Sequence, residues 1–455
     1  YFDDTLTLGN HTLVSQGGND IFIAKMSQLD GSVLWAKAFG TPNNESNGAI
    51  GDLDYQNGRL LFTASFGYNF YEGNLDRRYD TLTLDTHRVL SHGNQDVVYG
   101  ALNKNGNILF AKSIGGVKND YPQRIINSNG SCFLMLQSST DIYINGTVYK
   151  PLRAMGSGCT FITKLNASFE IDWVQHMGFA YSGGPLGVVI AHGLDIDSTQ
   201  NVYVSGTFSA RNLLCDTRSA TGPNGSFGNF DVFYLKITNR GKCAWILTGG
   251  AYGSDISSCA TVYSSNRIII GGDLSGGGWF GQDTIPSTKV EAFLLEVDSN
   301  GNNLHFELLC DTDESRVYNI HRTIDDKLLV LGSTGNGVVK LGDLEDHFSS
   351  AGGDIYIAKR NFVPLPKDTS TVSTRHHSME NSTLFYPNPT RKNLYINTQK
   401  WHRAAVSIYN SQGVLVNQSL VEQNKILLPS LASGVYRIEL FLNGQKSHKL
   451  INITH

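Results

Sequence analysis

The sequence is poor in charged residues and methionine, and it contains no long hydrophobic run. No segment approaches the roughly 18 consecutive apolar residues of a membrane-spanning helix, so no membrane span is expected. Charged residues make up 17% of the 455 residues, the net charge is −4, and lysine and arginine form no dense cluster. Nucleic acid is therefore not an expected partner.

Glycine and aromatic residues are abundant instead. The chain has 48 glycines, 22 phenylalanines and 20 tyrosines against 5 methionines, a balance that favours short strands and tight turns over helices. An apolar fraction of 40% indicates a folded chain. Because 455 residues exceed what one hydrophobic core usually holds, we expect an all-β protein of two or more units.

The cysteines are widely separated and never form a Cys-x-x-Cys pair, which argues against a zinc site. They are Cys132, Cys159, Cys215, Cys243, Cys259 and Cys310. An exported protein could join them in disulfides, but so many pairings are possible that the sequence favours none. Buried free thiols are an equal alternative.

A repeat dominates residues 1–360. Six aligned windows recur at intervals of 60 to 76 residues. They read DIFIAK from Asp20, DVVYGA from Asp96, CTFITK from Cys159, DVFYLK from Asp231, EAFLLE from Glu291 and DIYIAK from Asp354. After each of the first five, a turn such as KNG or NRG leads to an aromatic residue 14 or 15 positions on: Trp35, Phe110, Trp173, Trp245 or Phe306. Each window and its aromatic residue predict one β-hairpin.

A second hairpin follows in each of these five copies. Its later strand reads, for example, GRLLFTASF from Gly58 or NVYVSGTFS from Asn201, after a polar turn. Two hairpins make four strands, the unit of a β-propeller blade, in which neighbouring sheets bury each other's faces. The copies are longer than common blade repeats, and the extra residues lie mainly between the two hairpins.

The windows resemble bacterial propeller repeats with the signature G-x-x-D-x-F-x-A-K…G…W-A, which often occur in exported Bacteroidetes proteins. The resemblance covers residues 1–360 and implies a β-propeller of four-stranded blades of about 65 residues. Residues 1–16 match the connector at 79–91, and the last copy stops after its window. We therefore expect the propeller to be N-terminally incomplete, with about seven blades in the intact protein.

Motifs of familiar catalytic and metal sites are lacking in this region. No H-E-x-x-H, G-x-S-x-G or P-loop pattern occurs. Residues 27–35 are similar to the aspartate box of sialidase propellers, but Asp30 directly precedes Gly31, whereas one residue separates the two in that box. We interpret Asp30 as a hairpin-turn residue.

Residues 52–58, DLDYQNG, begin like a calcium-binding loop. The glycine stands at position seven rather than six, and no glutamate follows at position twelve. Other copies read NSNG and DSTQ at the same point, and both are turn sequences. We therefore predict a structural turn rather than a calcium site.

Residues 361–383 gather proline, serine and threonine and lose the hydrophobic pattern, as linkers do. We interpret His376 and His377 in this linker as solvated rather than metal-binding. Residues 384–455 then resume with seven short alternating strands, which predict a compact β-sandwich. In one of these strands, alternation places Tyr436, Ile438 and Leu440 on the buried face.

Four motifs, in order, make residues 384–455 resemble the type A C-terminal sorting domain of type IX secretion cargo. They are Y-P-N-P-T, I-Y-N-x-x-G-x-L-V, L-x-x-G-V-Y-R-I and a terminal K-L-I. The resemblance implies export across the outer membrane of a Bacteroidetes bacterium, to the cell surface or the extracellular medium. It also implies two partners, the type IX secretion translocon and its outer-membrane shuttle protein. An immunoglobulin-like accessory domain is the alternative.

Seven residues of this module are predicted to serve secretion-signal recognition or folding. They are Pro387, Asn388, Pro389, Gly413, Gly434, Tyr436 and Lys449. The first three set the conformation of the incoming chain, and the two glycines hold backbone geometries that a side chain would disturb. The tyrosine anchors the core. The lysine begins a strand, residues 449–453, that we expect at a sheet edge open to a partner.

Three Asp-Thr-aliphatic tripeptides resemble O-glycosylation sites of exported Bacteroidetes proteins. The threonines are Thr5, Thr81 and Thr284. The first two fall at the same repeat position, so the start of an ordinary strand is an equal alternative.

Two functional hypotheses follow. The first is an exported, non-enzymatic binding protein without a cofactor: an adhesin, or a surface- or motility-associated component, with a glycan or protein ligand at the propeller. The second is a secreted glycan-acting enzyme on the same scaffold, which needs paired carboxylates near the propeller axis. The candidates are Asp52, Asp54, Asp195 and Asp197. The sequence does not identify the ligand or say whether the sorting domain is cleaved.

Overall fold

The computed structural model describes residues 1–42, 51–67, 79–151, 158–179, 187–210, 212–222, 230–251, 253–276, 278–280, 283–285, 289–312, 314–335, 337–341, 344–348, 354–361, 385–386, 393–396, 404–410, 414–421, 425–428, 431–442 and 445–453. Every regular element in these ranges is a β-strand, which confirms the all-β prediction. Nowhere in them is there a helix long and apolar enough to cross a membrane.

The chain divides into two compact units, Tyr1–Pro364 and Leu365–His455. The strands of the first unit are β1 (Thr5–Leu8), β2 (His11–Val14), β3 (Ile21–Met26), β4 (Val33–Phe39), β5 (Asp52–Gln56), β6 (Arg59–Phe66), β7 (Thr81–Leu84), β8 (His87–Leu90), β9 (Asp96–Asn103), β10 (Ile108–Gly115), β11 (Tyr121–Ser128), β12 (Ser131–Ser138), β13 (Ile142–Ile144), β14 (Thr147–Tyr149), β15 (Cys159–Leu165), β16 (Ile171–Phe179), β17 (Val188–Ile196), β18 (Val202–Ser209), β19 (Asn212–Cys215), β20 (Arg218–Thr221), β21 (Asp231–Ile237), β22 (Cys243–Ala251), β23 (Ile256–Ser264), β24 (Arg267–Ser275), β25 (Gly278–Phe280), β26 (Asp283–Ile285), β27 (Val290–Val297), β28 (Asn303–Leu308), β29 (Cys310–Thr312), β30 (Ser315–Arg322), β31 (Lys327–Thr334), β32 (Gly337–Leu341), β33 (Leu344–Phe348) and β34 (Asp354–Asn361).

A four-stranded antiparallel meander is the recurring element of the first unit. It occurs as β5-β6-β9-β10, β11-β12-β15-β16, β17-β18-β21-β22 and β23-β24-β27-β28. Each meander joins the second hairpin of one repeat copy to the window hairpin of the next copy. The predicted windows are the third strands, and the repeated aromatic residues lie on the fourth strands.

The extra residues of the repeat form further hairpins. Hairpins β13-β14, β19-β20 and β25-β26 each pair with the fourth strand of the preceding meander, namely β10, β16 and β22. Three meanders are thereby extended to six strands. The sequence located these residues between the hairpins, but it did not indicate which sheet they join.

Consecutive sheets bury each other's faces. Val97 and Tyr99 of β9 belong to the same core cluster as Leu134 of β12, in the next sheet. Val98, between them in sequence, belongs instead to a cluster that includes Ile21 of β3, in the preceding sheet. Because adjacent residues of a strand point to opposite faces, β9 is buried on both sides.

The second unit contains β35 (Phe385–Tyr386), β36 (Asn393–Ile396), β37 (Ala405–Tyr409), β38 (Leu415–Leu420), β39 (Lys425–Leu427), β40 (Gly434–Leu442) and β41 (Gln445–Ile453). These are the seven strands that the sequence predicted. They form sheets β35-β36-β39 and β38-β37-β40-β41, which share one hydrophobic cluster. Tyr436, Ile438 and Leu440 lie in that cluster, which confirms their predicted buried face.

Candidate functional site

One cavity of about 370 Å³ lies among the strands that begin the successive sheets of the first unit. These strands are β5, β11, β17, β23 and β30, and each contributes to the lining. The polar lining residues include Asp52, Asp54, Arg124, Asp195, Thr261 and His321. Three of the four carboxylates proposed from the sequence are therefore at the cavity, and Asp197 is not in its lining.

The carboxylates of Asp52 and Asp54 bind the backbone of the neighbouring strand. Asp52 Oδ2 accepts a hydrogen bond of 2.9 Å from the amide of Ile125, and Asp54 Oδ2 accepts one of 2.5 Å from the amide of Asn127. Both amides belong to β11, which is an edge strand of its sheet and has no strand partner on that side among the described strands. The carboxylates therefore satisfy donors that would otherwise face the cavity unpaired. Burial raises the pKa of Asp52.

Asp195 repeats this arrangement two sheets further along the chain. Its Oδ2 accepts hydrogen bonds from the amide of Val262 at 2.6 Å and from Oγ1 of Thr261 at 3.1 Å. Its Oδ1 accepts one of 2.7 Å from the amide of Ile196. Burial raises the pKa of the Asp195 carboxyl. A carboxylate that links the first strand of one sheet to the first strand of the next sheet is thus a recurring feature of the cavity wall.

Asp197 has a different role. Its carboxylate accepts hydrogen bonds from the amides of Thr199 and Asn201, both at 2.9 Å, in the turn between β17 and β18. Burial alone would raise the pKa of Asp197, but the hydrogen bonds from Asn201 and Thr199 lower it overall. This residue stabilises a turn, as such side chains commonly do.

Arg124 is one of the polar cavity residues that the sequence did not single out. Its Nε donates a hydrogen bond of 3.1 Å to the carbonyl oxygen of His192, so the side chain runs from β11 towards β17. Burial, followed by the nearby Arg124 charge, lowers the pKa of His192. With Arg322 and His321, the lining presents guanidinium, imidazole, hydroxyl and carboxylate groups to the cavity. The only sequence signal for Arg124 was its position in the first strand of a predicted hairpin, shortly before a polar turn.

The turn interpretations made from the sequence are confirmed. Asp30 Oδ1 accepts hydrogen bonds from the amide and hydroxyl of Ser32 at 3.1 and 2.8 Å, in the turn between β3 and β4. Asn57 and Gly58 have φ angles of 53° and 78° and connect β5 to β6. Within the described ranges, no three or more His, Cys, Asp or Glu side chains are grouped to hold a metal ion.

In the second unit, the structure places only some of the predicted recognition residues. Pro387, Asn388, Pro389 and Gly413 lie outside the described residues, as do the linker histidines. Gly434 was predicted to hold a backbone geometry that a side chain would disturb, and this prediction is wrong. Its φ is not in the left-handed region, and an added Cβ would meet only Tyr436 Cε2, at an ordinary 3.8 Å.

Tyr436 lies in the core as predicted, whereas Lys449 does not begin its strand, because β41 already begins at Gln445. The hydroxyl of Tyr436 donates a hydrogen bond of 3.0 Å to the carbonyl oxygen of Ala432, and its ring is buried in the core cluster. Lys449 pairs with Ile438 in β41, and β41 pairs only with β40 in the described sheet. The C-terminal strand is therefore an edge strand of that sheet, as predicted.

The three threonines proposed for glycosylation all lie on hairpin strands. Thr5 begins β1 and is exposed, and its Oγ1 is 3.3 Å from Oδ1 of Asp4. Thr81 begins β7, where its amide donates to Oδ1 of Asp80 at 2.8 Å. Thr284 lies within β26. Thr5 and Thr81 are therefore strand starts, and glycan attachment at any of the three threonines stays a prediction.

Comparison with known proteins identifies the second unit. Residues 384–454 match the family model described as the secretion system C-terminal sorting domain. The chain carries the sorting domain of type IX secretion cargo, and it is exported across the outer membrane to the cell surface or extracellular space. A search of curated proteins gives no match.

Among solved structures, the similarities are weak. The extracellular domain of a hybrid two component system from B. thetaiotaomicron is 11% identical with a TM-score of 0.24, over 97% of this chain and 60% of that one. This chain thus spans 60% of that structure's length. PorZ, a surface component of the type-IX secretion system of Porphyromonas gingivalis, is 9% identical with a TM-score of 0.13, over 100% of this chain and 86% of PorZ. At these TM-scores neither similarity assigns a fold or a function.

Proposed function

We propose that this chain is an exported, non-enzymatic binding protein of the cell surface or extracellular medium, and that its first unit is a β-propeller with a ligand site in its central cavity. The observation that carries the proposal is the cavity itself, to which the first strands of five successive sheets contribute polar side chains. In a propeller, sheets stack face to face and their innermost strands surround a central channel. The expected number of blades stays a prediction.

The chemistry of the cavity favours binding over catalysis. Asp52, Asp54 and Asp195 each accept backbone hydrogen bonds from a neighbouring strand. A catalytic carboxylate must instead exchange protons with a substrate or attack it. Two arginines line the cavity, and Arg322 is paired with Asp326, so we assign a polar or anionic group of the ligand to Arg124. The class of partner that fits is a surface glycan or a polar protein segment, as for an adhesin or a surface- or motility-associated component.

A binding experiment tests the cavity. The full chain would be applied to a panel of immobilised bacterial and host glycans, together with Arg124→Gln. Arg88→Gln is the matched control, since Arg88 is an exposed arginine on β8, away from the cavity. We expect Arg124→Gln to weaken binding about tenfold or more and Arg88→Gln to bind normally, because Arg124 lies in the cavity. Equal binding by Arg124→Gln and the unmodified chain would show that the ligand binds elsewhere.

The secreted glycan-acting enzyme is the alternative, because three carboxylates do line the cavity. Incubating the purified chain with the glycans that it binds, and analysing the products by mass spectrometry, separates the two functions. The binding proposal expects unchanged glycans. Cleavage that is lost in Asp195→Asn would establish the enzyme instead.

Recognition by the translocon and its shuttle protein is assigned to the sorting domain, because export must work for cargo of unrelated shape. Residues 381–455 fused to an unrelated periplasmic reporter should send that reporter out of the same bacterium. A reporter that stays in the periplasm while the full chain is exported would show that the sorting domain is not sufficient.

A further inference from the structure

Two cysteines from different sheets meet in the first unit. Cys215 ends β19, and Cys243 begins β22. Both belong to one hydrophobic cluster, with exposed fractions of 0% and 7%. The two thiols lie close enough to interact with each other, and the Cys243 thiol also lies 3.7 Å from the carbonyl oxygen of Trp245. In the structure all five described cysteines, including these two, are free thiols.

The residues around this pair hold it in place from both sides. Arg218, which pairs with Cys215 in the β19-β20 hairpin, donates a hydrogen bond of 2.8 Å from Nε to the carbonyl oxygen of Cys243. Lys242 Nζ lies 3.5 Å from Oδ2 of Asp216, which links the residue before Cys243 to the residue after Cys215. These two contacts connect the end of β19 to the start of β22, and so bring the segments that carry the two cysteines together.

We propose that Cys215 and Cys243 are joined by a disulfide bond in the exported protein. The sequence could not choose among the possible pairings, but the fold brings these two sulfurs together. The proposal depends on export, which the sorting domain establishes, because disulfides form and persist in oxidising compartments outside the cytoplasm. It does not depend on the proposed binding function.

The reaction is thiol–disulfide exchange with an oxidant that itself carries a disulfide. The Cys243 thiolate attacks one sulfur of the oxidant and forms a mixed disulfide, and the other oxidant sulfur leaves as a thiolate. Cys215 then gives up its proton and attacks the Cys243 sulfur, which releases the second oxidant thiolate. Two cysteine thiols are oxidised, and one oxidant disulfide is reduced to two thiols.

Cys243 is suited to be the attacking group. The hydrogen bond from Cys215, together with the Arg218 charge, lowers the pKa of Cys243 despite its burial. For Cys215, its hydrogen bond with Cys243 and its burial both raise the pKa. Cys259, by contrast, has its pKa raised to about 12 by burial, so we expect it to stay a thiol.

Mass spectrometry of the exported full chain tests the bond. The protein is collected from the culture, unfolded in urea with N-ethylmaleimide present, digested with trypsin without reduction, and searched for a cross-linked pair of peptides. The expected pair is residues 212–218 joined to residues 243–267, two hydrogen atoms lighter than the separate peptides. The second peptide also contains Cys259, so fragmentation must place the link at Cys243 and N-ethylmaleimide at Cys259.

Thermal unfolding provides a second readout. Dithiothreitol should lower the unfolding midpoint of the unmodified chain, and of the control Cys259→Ser, by about 5 °C, because it releases the constraint on the unfolded chain. Dithiothreitol should not change the unfolding midpoint of Cys243→Ser or Cys215→Ser. N-ethylmaleimide on both Cys215 and Cys243 of the exported chain, or a cross-link from either to another cysteine, would overturn the proposal.

Discussion

The indole nitrogen of Trp35 donates a hydrogen bond of 3.2 Å to the carbonyl oxygen of Lys104. Lys104 lies in the turn of the next repeat copy, so the contact joins one sheet to the following one. The same turn contains Gly106, whose φ is +83° and where an added Cβ would lie 2.9 Å from Trp35 Cδ2. The tryptophan therefore packs directly against the turn backbone.

The same relationship recurs twice. Trp173 Nε1 donates to the carbonyl oxygen of Asn239 at 3.0 Å, and Trp245 Nε1 donates to that of Ser299 at 3.1 Å. The glycines of these turns, Gly241 and Gly301, also approach the indoles closely. In these three copies the tryptophan and the glycine turn recur together because each tryptophan packs on the turn of the next copy.

Gly241→Ala should destabilise the first unit by about 2–4 kcal/mol, because it adds overpacking to backbone strain. Its φ is +74°, and the new Cβ would lie 2.8 Å from Trp173 Cγ. Urea unfolding followed by tryptophan fluorescence measures the loss. Gly130→Ala is the control: its φ is +79°, but nothing lies within 4 Å of the added Cβ, so only the strain of about 1–2 kcal/mol remains. Equal losses in the two variants would contradict the packing role of the glycine.

The free energy of unfolding should fall as pH rises from about 7 to 9. Burial, and then the nearby Asp120 charge, raise the pKa of Asp96 to about 9, and burial raises that of Asp120 to about 7. Unfolded carboxyls have the ordinary value of 3.8, so the folded chain binds more protons above it. Their stabilisation is complete below 3.8 and is lost progressively as pH rises, up to about 7 for Asp120 and about 9 for Asp96. Urea titrations at several pH values measure the slope.

Asp96→Asn isolates this effect. The amide cannot lose a proton in this range, so the slope between pH 7 and 9 should decrease relative to the unmodified chain. An unchanged slope in the variant would show that the pH dependence arises from other groups.

Asp195→Ala should destabilise the first unit by about 1–3 kcal/mol, because the half-buried amide of Val262 loses its acceptor. Asp195→Asn retains one oxygen that can accept this bond, so its loss should be smaller. Chemical unfolding of the two variants provides the comparison. If both are as stable as the unmodified chain, the carboxylate does not link β17 to β23.

Tyr436→Phe should cost about 1 kcal/mol in the second unit, because only the bond to the carbonyl of Ala432 is lost. Tyr436→Ala should cost about 3–5 kcal/mol by opening a cavity in the core. Hydrogen exchange of β40 amides measures both losses, and the protein in the culture medium measures export. We expect normal export of Tyr436→Phe. Abolished export at unchanged stability would instead assign the hydroxyl to translocon recognition.

The sequence by itself determined where the strands and turns lie. Strand alternation and turn residues are local signals, so the windows, the turn at Asn57 and Gly58 and all seven strands of the second unit could be predicted. The ordered motifs of residues 384–455 likewise identified the sorting domain before its family match.

Only the tertiary structure decided which of these elements meet. Arg124 reaches His192, Trp35 reaches Lys104, and Cys215 reaches Cys243 across sheets whose strands are many residues apart in the chain. The extra hairpins likewise pair with a sheet that the local pattern does not specify. Periodicity tells which face of a strand is buried, but it does not tell which other sheet covers that face. That choice depends on how whole sheets pack, and no short stretch of sequence contains this information.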